Sequence, residues 1–147
     1  MRGVMGELPD QDSGEITVLD MEASIEHLTR GTLRNVDVVL VITEPYYRSL
    51  ETAGRIVPLA HDLGLKQVWV VANKVRDDRD DAAIREYCAR RQFEIIGSVP
   101  FDENVTEADH QGRALIDYAG TSAAVVAVEA LVDIVMTRTG TAPTVRA

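Results

Sequence analysis

Asp37-Val38-Val39-Leu40-Val41-Ile42-Thr43 is the stretch on which the fold turns. It is rich in β-branched residues and apolar at consecutive positions, so both of its faces must be covered, as in a parallel sheet sandwiched between helices. Working outward, three more runs share this character. Ile16-Thr17-Val18-Leu19 lies upstream, closed by Asp20, and Lys66-Gln67-Val68-Trp69-Val70-Val71-Ala72 and Phe93-Glu94-Ile95-Ile96-Gly97-Ser98-Val99 lie downstream. Four such strands separated by helical patterns predict a three-layer α/β sandwich with a mostly parallel, doubly wound sheet.

The intervening segments carry helical spacing. Leu50, Ala53, Gly54, Val57, Ala60 and Leu63 form an i, i+3, i+4, i+7 stripe that predicts a helix from Tyr46 to Leu63. Gly64 is placed to end it in a left-handed cap, and Pro58 should kink or locally break it. A second helix is predicted from Asp78 to Arg91, with Asp77 or Asp78 as N-cap. Its acids, Asp80 and Asp81, sit at the positive end of the helix dipole and Arg90 and Arg91 at the negative end. A third helix is predicted after Ile116, with Val125, Val128, Leu131, Val132 and Val135 packed on the sheet. Residues 1–8 read as the end of a helix, and 139–147, which include Pro143, as a flexible tail.

With 147 residues, the chain is long enough for one domain with a sizeable core. A formal charge of −9 opposes non-specific binding to nucleic acid or to an anionic membrane. Arg85, Arg90 and Arg91 are interleaved with acids and read as a solvated helix face. No apolar run reaches the length of a membrane span, and the N-terminus lacks the apolar core of a secretory signal. One cysteine, Cys88, excludes an internal disulfide and a multi-cysteine metal site within one chain. A cytoplasmic protein is expected.

Asp20 stands at the C-terminal end of its run, where open α/β sheets bind ligands. A hard carboxylate there can hold magnesium through water, or it can simply cap the segment that follows; position leaves both open. A phosphate cradle of the form G-x-x-x-x-G-K-[ST] occurs nowhere in the chain. His27, His61 and His110 lack the spacing of a zinc site. Asp77-Asp78-Arg79-Asp80-Asp81 lacks the glycine and terminal glutamate of a calcium loop. In the last helix Glu129 and Asp133 share one face and no basic row flanks it, which favours packing on the sheet over membrane binding.

Leu19-Asp20-Met21-Glu22-Ala23, followed by Glu26-His27-Leu28 and Arg30-Gly31-Thr32, resembles the corresponding stretch of the MinD/ParA-type P-loop ATPases. The similarity is greatest to their branch that matures carbon monoxide dehydrogenase. Glu44-Pro45 with Arg48-Ser49-Leu50-Glu51-Thr52-Ala53, then Val71-Ala72-Asn73-Lys74-Val75 and Val99-Pro100-Phe101-Asp102, resemble that branch in the same order. The resemblance covers about residues 15 to 115 and is more specific than any one motif.

This resemblance implies that residues 1–138 form the C-terminal part of a nucleotide-binding α/β domain that uses ATP and magnesium. Asp20 would orient the magnesium-bound water, and Glu22 to Thr32, beginning with Glu22, Ala23 and Ser24, would form the switch that senses the γ-phosphate. Asn73 would hydrogen-bond the adenine, and Pro100, Phe101 and Asp102 would form the loop over the base. Lys74 would face solvent or support that loop. The implied function is an accessory ATPase that assists nickel-centre assembly of carbon monoxide dehydrogenase, as a homodimer acting on a metalloenzyme client. Two other readings are a catalytically inactive, P-loop-less binding module and a partitioning or septum-positioning ATPase. The chain departs from the family pattern at the phosphate loop and first switch, which have no counterpart, and at Ser24, where glycine is expected. Cys88 does not match the Cys-x-Cys pair of the branch, which the resemblance places upstream of Met1.

Overall fold

Val68–Val75 accepts a parallel neighbour on each side, Val39–Thr43 on one edge and Ile95–Pro100 on the other. In the computed structural model, which describes residues 16–21 and 36–140, these form one sheet of order β1-β2-β3. The elements are β1 (Val39–Thr43), α1 (Tyr47–Asp62), β2 (Val68–Val75), α2 (Asp78–Arg91), β3 (Ile95–Pro100), α3 (Glu103–His110), α4 (Leu115–Ala119) and α5 (Ala123–Thr139).

Alternation along β2 divides the interior into two cores. Val68, Val70 and Ala72 face α1 and α2, packing with Val41, Leu50, Ala53, Val57, Ala60, Ile84 and Cys88. Trp69 and Val71 face α5, packing with Ile96 and Leu131. The two crossover helices lie on the same side because the strands advance in one direction and parallel crossovers keep one hand. The result is the expected helix–sheet–helix sandwich.

Each strand begins two residues later than its apolar run. The approach residues already serve the ladder through their backbones: Val39 N–H donates to Gln67 O at 2.8 Å, and Val70 N–H to Glu94 O at 2.8 Å. α1 and α2 fall within a residue of the predicted bounds. Asp77 is the N-cap of α2, accepting from Asp80 N–H at 2.9 Å, and Gly64 has the left-handed φ of 89° that follows α1. α1 continues through Pro58, so the expected break does not occur; the ring lies on the exposed side, away from the core. The last helical segment is divided at Gly120-Thr121-Ser122, with Ser122 capping α5. Val125 and Leu131 are buried as expected, but Val128 and Val132 are 49% and 52% exposed.

The first predicted strand is a correction. Residues 16–20 have no strand assignment, and Ile16, Val18 and Leu19 are 57%, 87% and 40% exposed. A parallel strand exists only through its neighbours' hydrogen bonds, and β1 pairs with β2 alone among the described residues. Met21, just beyond, does pack against the α1/α2 core. On the other face Leu40 and Ile42 of β1 are 40% and 54% exposed, beyond the cover that α5 provides. The expected tail from residue 139 begins inside α5, whose C-cap is Gly140; residues 141–147 lie outside the described part.

Cys88 is 1% exposed, and burial pushes its thiol up from the usual range. Among the described residues no helix is long and apolar enough to cross a membrane. α5 approaches β3 closely at Gly97, where an added Cβ would stand 2.3 Å from Leu131 Cδ2. Gly97→Ala should therefore force Leu131 from its place and cost about 1–3 kcal/mol by overpacking. Urea denaturation measures this, and an unchanged midpoint would refute the close packing of α5 on β3.

Candidate functional site

The three strand ends converge on one edge of the sheet, and the side chains there link each loop to the next. After β1, Thr43 is fully buried and its Oγ1 lies 3.1 Å from Ser49 Oγ. Ser49 Oγ also accepts from Glu44 N–H at 2.9 Å, fixing the turn into α1. Glu44 then reaches β2, its Oε1 standing 2.7 Å from Lys74 Nζ. Both side chains are partly solvated, so the pair contributes at most about 1 kcal/mol to stability; what it fixes is geometry.

The end of β2 is irregular. Ala72 pairs with Ser98 and Val75 with Pro100, so three steps along β2 match two along β3. The extra residue is accommodated by Lys74, whose φ of 55° is left-handed. A bulge of this kind re-aims the side chains beside it, and a non-glycine residue held there costs on the order of 1 kcal/mol. Asn73 sits in this bulge, half-buried.

The β3 loop is held from two directions. Phe101 N–H donates to Val75 O at 2.8 Å, and the Arg76 guanidinium lies over the Phe101 ring with Cζ 3.6 Å from its centroid. Asp102 caps two helices at once: Oδ1 accepts from Asn104 N–H at 3.0 Å and Oδ2 from Ala124 N–H at 3.1 Å. The Ala124 and Asn104 N–H groups hold the Asp102 carboxyl at about 2, below its ordinary 3.8.

Of the sequence-derived candidates, Asn73, Pro100, Phe101 and Asp102 thus come together on one sheet edge. Asp102 points its oxygens into helix termini, so its place is to support the loop. Asp20 lies on the exposed, unpaired segment, and Glu22, Ala23 and Ser24 are outside the described residues. Arg76 and Ser49 were not singled out from the sequence as site residues. Arg76 could have been noticed as a cation placed just after a strand end and before the acids Asp77, Asp78, Asp80 and Asp81. The edge fits a nucleotide base: Asn73 has an amide donor and acceptor, with no partner among the described residues, beside an aromatic loop. A hydrated magnesium would find the single carboxylate of Asp20, and no group of three or more His, Cys, Asp or Glu gathers among the described residues.

Two predictions test this edge. Lys74→Gly should leave stability within about 0.5 kcal/mol of wild type, whereas Lys74→Val should cost about 1–2 kcal/mol at positive φ; equal urea midpoints would contradict the left-handed turn. For Asp102, a lowered folded pKa means that its charge stabilises the fold above about 3.8 and that this contribution is lost as pH falls through about 2. Asp102→Asn should lower Tm at pH near neutrality, with the gap closing over that acidic window; a gap independent of pH would contradict the charged cap.

No protein-family model matches the chain. It is 42% identical over 103 residues to the carbon monoxide dehydrogenase accessory protein CooC of Rhodospirillum rubrum, an alignment covering 70% of this chain and 38% of that protein. It is 40% identical over 102 residues to an uncharacterised ATP-binding protein of Methanocaldococcus jannaschii, covering 69% and 39%. Among solved structures, the MinD cell division protein of Aquifex aeolicus superposes with a TM-score of 0.59 at 17% identity, covering 79% of this chain and 49% of that one. The chain spans about two fifths of the length of these curated relatives. Over about 70% of its length, it is a homologue of the CooC and MinD-like ATP-binding proteins.

Proposed function

We propose that this chain carries the base-binding portion of a cytoplasmic accessory ATPase that assists nickel-centre assembly of carbon monoxide dehydrogenase. The portion corresponds to the C-terminal part of the relatives, and the full assembly acts as a homodimer on a metalloenzyme client. The observation that carries the reading is the 42% identity to CooC, joined to the arrangement of Asn73 and the Phe101 loop on one sheet edge. In this reading ATP binds with its base at Asn73, and magnesium is held through water by Asp20. Asn73 orients the base, the Pro100–Phe101 loop borders it, and Asp102 holds that loop through its two helix caps. A bound magnesium would neutralise charge on the phosphates.

The inactive binding module is the second reading, favoured by the lack of a G-x-x-x-x-G-K-[ST] cradle in the sequence. Without that cradle, binding should depend on the base and gain little from the phosphates. Calorimetry of the 147-residue chain should give similar affinities for adenosine and for ATP with magnesium. Neither should be tighter than roughly 100 μM, a free energy near −5.5 kcal/mol. Submicromolar binding of ATP alone would locate a phosphate site elsewhere in the chain and refute the base-only expectation.

A further inference from the structure

Arg76 leaves β2 immediately before a run of acids, yet its guanidinium takes none of them. Asp77 is occupied capping Asp80 N–H, Asp81 accepts from Arg85 Nε at 2.5 Å, and Asp80 accepts the backbone N–H of Arg76 at 3.1 Å. The guanidinium lies instead on Phe101, 3.6 Å from the ring centroid. Both partners are anchored by their backbones, Arg76 through Asp80 and Phe101 through Val75 O at 2.8 Å. Among the described residues Arg76 makes no ion pair, and its side chain is exposed.

A guanidinium is planar and presents two faces. One face of Arg76 lies against the Phe101 ring, and the side chain as a whole is exposed, which leaves it accessible to a second planar group. An aromatic base can stack there, its electron-rich face against the cation, while Asn73 reads its edge. We propose that Arg76 is the platform on which the nucleotide base stacks, forming the middle layer of a base–guanidinium–phenyl sandwich. The inference rests on the reading of this sheet edge as a base site. It adds a binding residue and a preference: planar, electron-rich bases are favoured, and recognition does not require phosphate.

The test is adenosine binding to the full chain, followed by calorimetry or NMR titration at millimolar ligand, with ribose 5-phosphate as a probe lacking the base. Arg76→Ala should weaken adenosine about tenfold, in the range found when a stacking partner is removed. Arg76→Lys should weaken it nearly as much, because lysine keeps the charge and loses the plane. Phe101→Leu should also weaken binding, and its effect should not add to that of Arg76→Ala, since the two act as one layer. Ribose 5-phosphate should be indifferent to all three variants. Thermal melts of each variant identify any loss of folding; Arg76, being exposed, should melt as wild type.

The outcomes separate the two ideas. If Asn73→Ala weakens adenosine while Arg76→Ala leaves it unchanged, the base site stands and the platform is overturned. Full rescue by Arg76→Lys also overturns the platform, since charge would then suffice. If adenosine binds but neither Asn73→Ala nor Arg76→Ala alters it, or if adenosine does not bind at all, the base-site reading fails and takes the platform with it.

Discussion

Val68–Val75 needs hydrogen-bond partners along both edges and apolar cover on both faces, and the rest of the described fold is arranged around that need. Its first five residues are buried, alternately supplying the α1/α2 core and the α5 core. The crossover helices follow from the demand for parallel neighbours, since a parallel return requires a long connection. Beyond Ala72 burial along the strand falls, although Val75 still packs on the α1/α2 core, and the regular ladder gives way to a bulge at Lys74. A site placed there inherits a rigid base and an irregular rim, a combination that lets side chains point where a regular strand would not send them.

That rim is a chain of pairwise ties. Glu44 to Lys74 joins the first loop to the second, Phe101 to Val75 and Arg76 joins the second to the third, and Asp102 to Ala124 joins the third to α5. No single tie dominates: the Glu44–Lys74 pair is partly solvated, and the others are individual hydrogen bonds or ring contacts of about 1 kcal/mol each. Their value is that a displacement of one loop has to be shared by the next. The same logic applies between α1 and α2, where Tyr87 OH donates to Glu51 at 3.0 Å and clasps the two helices together.

Much of this was legible in the sequence, and what was not has a common cause. The apolar runs at Val39–Thr43, Val68–Ala72 and Ile95–Val99, and the helices from Tyr47 and Asp78, depend on local composition and period, which a sequence displays directly. The Ile16–Leu19 run has equally suitable composition but no strand partner among the described residues, and pairing is a property of two segments rather than one. The left-handed Lys74 was hidden for the same reason: the bulge arises from the register between β2 and β3, and lysine does not advertise positive φ. Asn73, Pro100 and Phe101 were reached through resemblance, and periodicity alone would not have chosen them. The contact of Arg76 with Phe101 joins residues on different strand ends, and only the sheet brings them together.

The solitary thiol of Cys88 acquires a meaning from its surroundings. It sits on α2 in contact with the core that β2 shares with α1, sealed from solvent and kept protonated by burial. A thiol in that state reacts with an alkylating reagent only when the surrounding layer opens, because the thiolate is the nucleophile. Its rate of modification is therefore a clock for the opening of that layer, set against the same layer's native closure. Evolution did not have to place it there for this purpose, but the chain carries its own gauge of how often β2 loses its cover.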